Sequence, residues 1–393
     1  MNQSEIIIGL PDYQITGIVR EKGQQVISAE YLGEITCPEC GATKLRSKGL
    51  YTRKVRHENW GVRHTILKLE GRKWLCQECG RYFRQRFPGI LVWQRASEAY
   101  REGIYRQHLD GINCSQLGRR EKIGAATAER YFRHGLAGQF GEWHSRRCPK
   151  ILGIDEHFFT RKKGFATTLC DLQKHKIYDV VLGRSEASLE AYLQRLEGKE
   201  DVKVICMDLS STYRAVVQKH FPNARIVADR FHVIRLIGQH FLACWRELDP
   251  VGSKNRGLLS LMRRHKHNLK PDQWLKLQEY FKKFPAMEAI YDFKQDLTAL
   301  LLLKKRTRKQ CQVLAPLFLQ AITDLKLAVF APLVTLGNTL QSWAGEIATM
   351  WRFTRNNGIT EGFHNKMELI SRQAYGFRNF QNYRMRVKVL CGY

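Results

Sequence analysis

No stretch of this 393-residue chain is apolar for long enough to cross a bilayer. Runs such as residues 299–303 fall far short of the ~20 residues that a spanning helix needs. The N-terminus, Met1-Asn-Gln-Ser-Glu-Ile-Ile-Ile-Gly-Leu10, also lacks the basic head and long apolar core of an export signal. The expectation is a cytoplasmic chain, in which the eleven cysteines serve as thiols or metal ligands rather than disulfides. Internal repeats and low-complexity tracts are missing too. Acidic residues are scarce: 37 Asp and Glu face 65 Lys and Arg, for a net charge of +28. A chain so short of acid is drawn to polyanions.

A merely basic soluble protein, or one that meets anionic lipid, would share that balance. Here, however, the charge is clustered among aromatics. Residues 41–100 hold 14 Lys and Arg against 4 Asp and Glu, with Tyr51, Trp60, Trp74, Tyr82, Phe83 and Trp93 between them. Nucleic acid is the partner this pattern fits, which also implies association with the nucleoid. A hydrophobic content of 44% is ample for packed cores, and the length suits two to four domains.

Two Cys-x-x-Cys pairs stand out, Cys37-Pro-Glu-Cys40 and Cys76-Gln-Glu-Cys79-Gly80. Each supplies two thiolates from one tight turn, and together they provide the closed four-sulfur tetrahedron of one structural Zn²⁺. The 35 residues between the pairs exceed those of a short ribbon, but read as strands at 51–55, 65–69 and 73–75. His57 and His64 could replace a cysteine; with four thiols already available, they are expected at the surface or facing DNA. Beyond Phe87-Pro88-Gly89 the periodicity turns helical, at 96–109, 115–120 and 127–136. Helix, short helix, turn and helix suit a helix-turn-helix module, with Arg130 and Arg133 exposed on the last helix to contact DNA. Any small three-helix bundle would give the same periodicity.

From about residue 150 the pattern is α/β. Strands are expected at 151–155, 165–172 and 176–182, followed by a helix at 185–196, a strand at 202–207, a helix at 211–220 and a strand at 224–228. This order matches the RNase H-like fold, in which the first and fourth strands are neighbours. Asp155 and Asp208 would then meet at strand tips although 53 positions separate them. Glu361 lies in the helical stretch Asn357-Gly-Ile-Thr-Glu-Gly-Phe-His-Asn365. Two strand-end carboxylates and a third on a later helix can hold a pair of Mg²⁺ (or Mn²⁺) ions, because each ion needs only one or two protein carboxylates. Taken singly, Asp208 could merely cap the next helix and Glu361 could be an ordinary first-turn acid. Alternation along the strand should turn Glu156 away from Asp155. Asp171 is expected to be structural, near a hairpin turn.

At these residues the chain resembles the DDE transposases of the ISL-three insertion-sequence family. The resemblance rests on Arg72-Lys-Trp-Leu-Cys76, Leu152-Gly-Ile-Asp-Glu156, Phe221-Pro-Asn-Ala-Arg-Ile-Val-Ala-Asp-Arg-Phe-His-Val233, Glu361-Gly362, Asn365-Lys366 and Ala374-Tyr-Gly-Phe-Arg-Asn-Phe380. It implies cleavage and strand transfer at terminal inverted repeats. Asp155, Asp208 and Glu361 would be the catalytic metal ligands, and Asp229, His232 and Asn365 would support them. Asp229 and His232 would line the site or lock the strand–helix junction. Double-stranded DNA, as inverted repeats and as target, would be the partner, handled by a homodimer or larger assembly. Glu368 departs from the pattern, which has a basic residue there.

The 128 residues between His232 and Glu361 are too many for a loop, and their helical periodicity marks an all-helical insertion. It carries basic runs at 254–270 and 304–309. The implied organisation is a zinc ribbon (1–92), a helix-turn-helix region (93–148), a catalytic core in two parts (149–239 and 346–393) and the helical insertion (240–345). A structure-selective nuclease of the same fold, or a non-catalytic zinc-dependent DNA-binding regulator, remains the alternative.

Overall fold

The computed structural model describes residues 7–21, 23–141, 147–353 and 358–392. Residues 1–6 of the N-terminal sequence and Asn357 of the Glu361 stretch lie outside them. The chain divides into two units, described in turn. One is Met1–Glu142 with Arg372–Gly376, the other Trp143–Ser371 with Phe377–Tyr393. Among the described residues no helix is long and apolar enough to cross a membrane.

The first unit opens with a hairpin, β1 (Tyr13–Glu21) and β2 (Gln24–Tyr31). Two long strands follow, β3 (Leu45–Trp60) and β4 (Arg63–Cys76), and then the short β5 (Tyr82–Arg84). They form one sheet in the order β1-β2-β4-β3, with β5 on β4. The three short strands expected from spacing are therefore parts of two long ones. The β3–β4 register slips between Ser47 and Leu50, where Gly49 takes φ +116°. Such a bulge interrupts the period-2 pattern that betrays a strand. Inward-facing Ile27, Ala29, Val55, Leu67 and Leu69 pack on Tyr13 and Phe87.

His57 and His64 are not at the surface. His57 shares the inward parity of Val55 and is buried; its Nε2 donates to Ile8 O (2.8 Å) while Nδ1 accepts from Ser97 Oγ (2.8 Å). His64 is buried beside Arg56 and Asn59. Both fasten the sheet rather than face a ligand.

Helices follow at α1 (Glu98–Leu109), α2 (Cys114–Glu121) and α3 (Ala125–Gly141). Ser97 caps α1, and Asn113 with Gln116 forms a capping box on α2, satisfying backbone N–H groups that the first helical turn leaves unpaired. Ile104, Leu117 and Ala128 meet at their centre. The buried Glu121 pairs with Arg56 at 3.6 Å and accepts from Asn59 at 2.8 Å, tying the bundle to β3.

In the second unit β6 (Ile151–Thr160), β7 (Gly164–Asp171) and β8 (Lys176–Leu182) form an antiparallel meander. Then come α4 (Glu186–Gln194), β9 (Val204–Met207), α5 (Ser211–His220) and β10 (Arg225–Ala228). The sheet order is β10-β9-β6-β7-β8, with β9 and β10 parallel to β6. Alternation sends Leu152, Ile154, Ile205 and Met207 to one face and Cys206 to the other. A run of helices follows: α6 (Arg230–Leu248), α7 (Arg256–Arg263), α8 (Pro271–Lys283), α9 (Pro285–Leu302), α10 (Arg308–Lys326), α11 (Ala331–Ser342) and α12 (Ala344–Thr349); of these α6 and α9–α12, with α4 and α5, pack on the first face. The second is covered by α13 (Gly358–Gln373) and α14 (Phe380–Cys391), through Met367, Ile370, Tyr383 and Val387.

Helix α6 passes residue 240 without a break. Its Val233 and Ile237 pack on the sheet, while Phe241 and Trp245 join a separate core with Met262, Phe281 and Tyr291. The buried Arg230 anchors the arrangement, donating to the carbonyls of Leu301 (3.2 Å), Leu303 (3.3 Å) and Met350 (2.6 Å).

Candidate active site and zinc centre

Asp155 does not end its strand. β6 runs five residues further, paired with β7, whereas its parallel partner β9 stops at Met207 opposite Ile154. The next residues on the two strands are Asp155 and Asp208. They come from adjacent parallel strands at one level, and side-chain alternation directs both toward the face covered by α13. Glu156 is drawn off by Arg184 at 3.0 Å.

His232, one turn into α6, brings Nε2 to 3.0 Å from Asp208 Oδ1 and 3.6 Å from Asp229 Oδ2. Donor atoms of Asp155, Asp208 and His232 all lie within 4.8 Å of one another. Asp229 is buried at the N-cap of α6, and its N–H donates to Met207 O at 2.7 Å. Glu361, in the first turn of α13, stands outside the 4.8 Å group, yet its charge is felt by both Asp155 and His232. Asn365 is exposed one turn further along the same helix.

Crowding of buried carboxylates sets the electrostatics. Burial, with repulsion from Asp229, Glu156 and Glu361, raises Asp155 to about 7 even though the Glu156 N–H donates to it at 2.8 Å. Burial, with Asp155, Asp229 and Glu156, raises Asp208 to about 8. Burial also lowers His232, favouring its neutral form. Among the described residues the buried Asp208 Oδ1 has no hydrogen-bond partner, with His232 Nε2 at 3.0 Å. Oxygen and neutral imidazole donors converging with too few cations to balance them fit a divalent ion. An open cleft of about 680 Å³ adjoins the cluster, lined by Arg184, Ser210, Asp208, His232 and Arg235.

Two residues escaped notice in the sequence. His364 lies 3.9 Å from Asp155 through Nδ1 and 3.2 Å from Thr168 Oγ1 through Nε2, with its ring 5.0 Å from that of His157. Burial and His157 hold its pKa down to about 4, so it is neutral. Arg235 opposes the upward shift of Asp208. The signal for each was helical spacing, three positions after Glu361 and three after His232. Asp171 behaves as expected of a structural residue, accepting from the N–H groups of Gln173 and Lys174 at 2.9 Å in the hairpin turn.

The four cysteines converge in the first unit. Cys37 and Cys79 sulfurs are 3.6 Å apart, and Cys40 and Cys76 sulfurs 3.7 Å. Tetrahedral Zn–S bonds of ~2.3 Å put sulfurs ~3.8 Å apart, so the spacing fits zinc. Two matching turns hold the set. Gly41 N donates to Cys37 O and Gly80 N to Cys76 O, with Gly41 and Gly80 at φ +75° and +71°. The N–H of Cys40 lowers the Cys37 thiol to about 7, whereas the neighbouring sulfurs push Cys40 and Cys79 up, as four thiols crowded together share their protons.

Comparison with known proteins supports the zinc centre and places the chain in a family. The zinc-finger model of the IS204/IS1001/IS1096/IS1165 transposases matches residues 33–79. The ISL3 transposase model matches residues 152–387. The transposase for insertion sequence element IS1001 of Bordetella parapertussis is 23% identical over 362 residues, covering 90% of this chain and 87% of that protein. These matches define a zinc-ribbon transposase with a catalytic domain of mixed sheet and helices. The chain belongs to the ISL3 family of transposases.

Proposed function

We propose that this transposase binds the terminal inverted repeats of its insertion sequence, cleaves them with two Mg²⁺ (or Mn²⁺) ions and joins the freed ends to target DNA. The observation that carries the reading is the side-by-side placement of Asp155 and Asp208 on adjacent parallel strands, with His232 beside them. The five-stranded order with parallel β6 and β9 supports an RNase H-like core. The order of α1–α3 supports a helix-turn-helix, on whose last helix Arg130 and Arg133 are exposed, Arg133 paired with Glu129.

Asp155 and Asp208 would hold the ions, with Glu361 approaching from α13. Bound there, the ions would make a water or a DNA 3′-hydroxyl nucleophilic and stabilise the leaving oxygen. The chain's own residues supply orientation. The Glu156 N–H fixes one oxygen of Asp155, neutral His364 packs against the same carboxylate, and His232 steadies Asp208 from α6. Asp229 adds negative charge behind His232. Because two ends must be handled together, the working form is a dimer or larger assembly on DNA.

Joining separates a transposase from a nuclease of the same fold. Pre-cleaved end DNA incubated with the protein, Mg²⁺ and a supercoiled plasmid should give covalent joint molecules. Hydrolysis without joining, with both ends bound, would favour the nuclease. Binding without any strand scission would favour the regulator.

A further inference from the structure

A second basic site lies in the first unit, away from the recognition helix. Beside the zinc turns, β3, β5 and the loop 90–95 enclose a groove of about 850 Å³. Its walls carry Lys54, Arg81, Arg84, Arg86 and Arg95, all exposed, and among the described residues none of them pairs with an acid. At its rim stands Trp93, 84% exposed and at φ +65°. A left-handed backbone is strained for a non-glycine residue, and an indole in water forgoes burial as well. The loop is nonetheless held in this shape from below. Arg53 donates from one nitrogen to the carbonyls of Leu91 and Gln94, both at 2.7 Å, on either side of Trp93. An enforced outlier that displays a large aromatic ring among five cations, with Glu39 as the one acid in the lining, calls for a ligand of matching chemistry.

We infer that this groove is a DNA-binding site, seating the sugar–phosphate backbone of a duplex while Trp93 packs against a base or sugar at its edge. The occupant follows from charge and shape. Several cations along an open groove match a polyanion, and an aromatic ring carried at the rim on a held loop offers apolar contact. Arg53 is a positioning residue: it sets the loop, and the other cations meet phosphate. The inference rests on the transposase reading above and deepens it, dividing DNA binding between this groove and the α3 helix.

The test uses the full-length, zinc-loaded protein without Mg²⁺ and a labelled mixed-sequence duplex, with affinity measured across a salt series. Joint replacement of Arg81, Arg84 and Arg86 by Ala should flatten the salt slope by about 0.9 for each phosphate that is no longer neutralised. Trp93→Ala should weaken binding about tenfold with the slope unchanged, and Trp93→Phe should restore most of it. Zinc content and thermal unfolding verify that each variant is folded; Arg84→Glu supplies a single exposed change should the triple variant lose zinc. Wild-type affinity and slope in folded variants would overturn the groove. Selective loss of single-strand binding, with duplex binding intact, would overturn the duplex assignment. Wild-type protein that binds no DNA would instead sink the transposase reading itself.

Discussion

Asp179 on β8 should prove one of the costliest residues to remove, although it is outside the acid cluster. It is 5% exposed and accepts two hydrogen bonds from Arg384, at 2.7 and 2.6 Å, one from Lys388 at 3.2 Å and one from Tyr192 at 3.2 Å. Arg384 and Lys388 both belong to α14, which packs with Met367 and Ile370 of α13 on the same face of the sheet. The clamp therefore secures the helix behind the one that carries Glu361 and His364. Asp179→Ala would take a shared carboxylate from the buried Lys388 and the half-buried Arg384, a loss on the order of 3–5 kcal/mol, or roughly 10 °C of melting temperature for a unit of this size.

The pH dependence has a definite sign. Burial alone would raise the Asp179 pKa, but the Arg384 hydrogen bonds and the charges of Lys388 and Arg384 hold it below its ordinary value. A lowered folded pKa gives stability that is fully present above the unfolded value, ~3.9, and is lost as pH falls through the folded one. Denaturant unfolding should show the full gap between wild type and Asp179→Ala at neutral pH, narrowing on acidification below about pH 4. Replacing Asp179 by Leu together with Arg384 and Lys388 by Met should cost much less, since no lone charge remains buried. Hydrogen exchange in α14 should rise in Asp179→Ala. A gap below ~1 kcal/mol at neutral pH, or one indifferent to acid, would refute the clamp.

Asp155→Ala, Asp208→Ala and Glu361→Ala should each lower metal-dependent cleavage of transposon ends by at least ~10³-fold while duplex binding persists, and Asp171→Asn should stay active; near-normal cleavage by any of the first three would show that residue misassigned. Purified protein should contain one zinc per chain, and joint Cys76→Ser and Cys79→Ser should release it and unfold the ribbon while the second unit keeps its own melting transition. Arg230→Ala should cost roughly 2–4 kcal/mol, because three carbonyls lose a buried charged donor, and should speed hydrogen exchange in α9 and α12; unchanged exchange there would show that the anchor is dispensable.

How much was legible follows from how local each signal is. A Cys-x-x-Cys turn prepares two ligands within four residues, so the zinc site could be read from spacing. The caps Ser97, Ser185 and Ser210 are just as local, each accepting from an N–H three residues away. Apolar runs pointed to Asp155 and Asp208, since a buried parallel strand must be apolar on both faces. The extent of β6 was hidden, because past Asp155 it pairs only with β7 and its composition turns mixed. His57 and His64 were misplaced for a related reason: polarity suggests surface, and only packing reveals both nitrogens of His57 and Nδ1 of His64 satisfied inside.

Sequence by itself determined the elements, the thiol set and the acids available for chemistry. Which of those acids meet was decided by the sheet, because the parallel register of β6 and β9 alone sets Asp155 beside Asp208. The same is true of Asp179 and Arg384, 205 positions apart, and of His364 against Asp155. Turns and caps are written in spacings of a few residues, where chain geometry leaves little freedom. Contacts across hundreds of positions depend on strand order and helix packing, which the whole chain settles together.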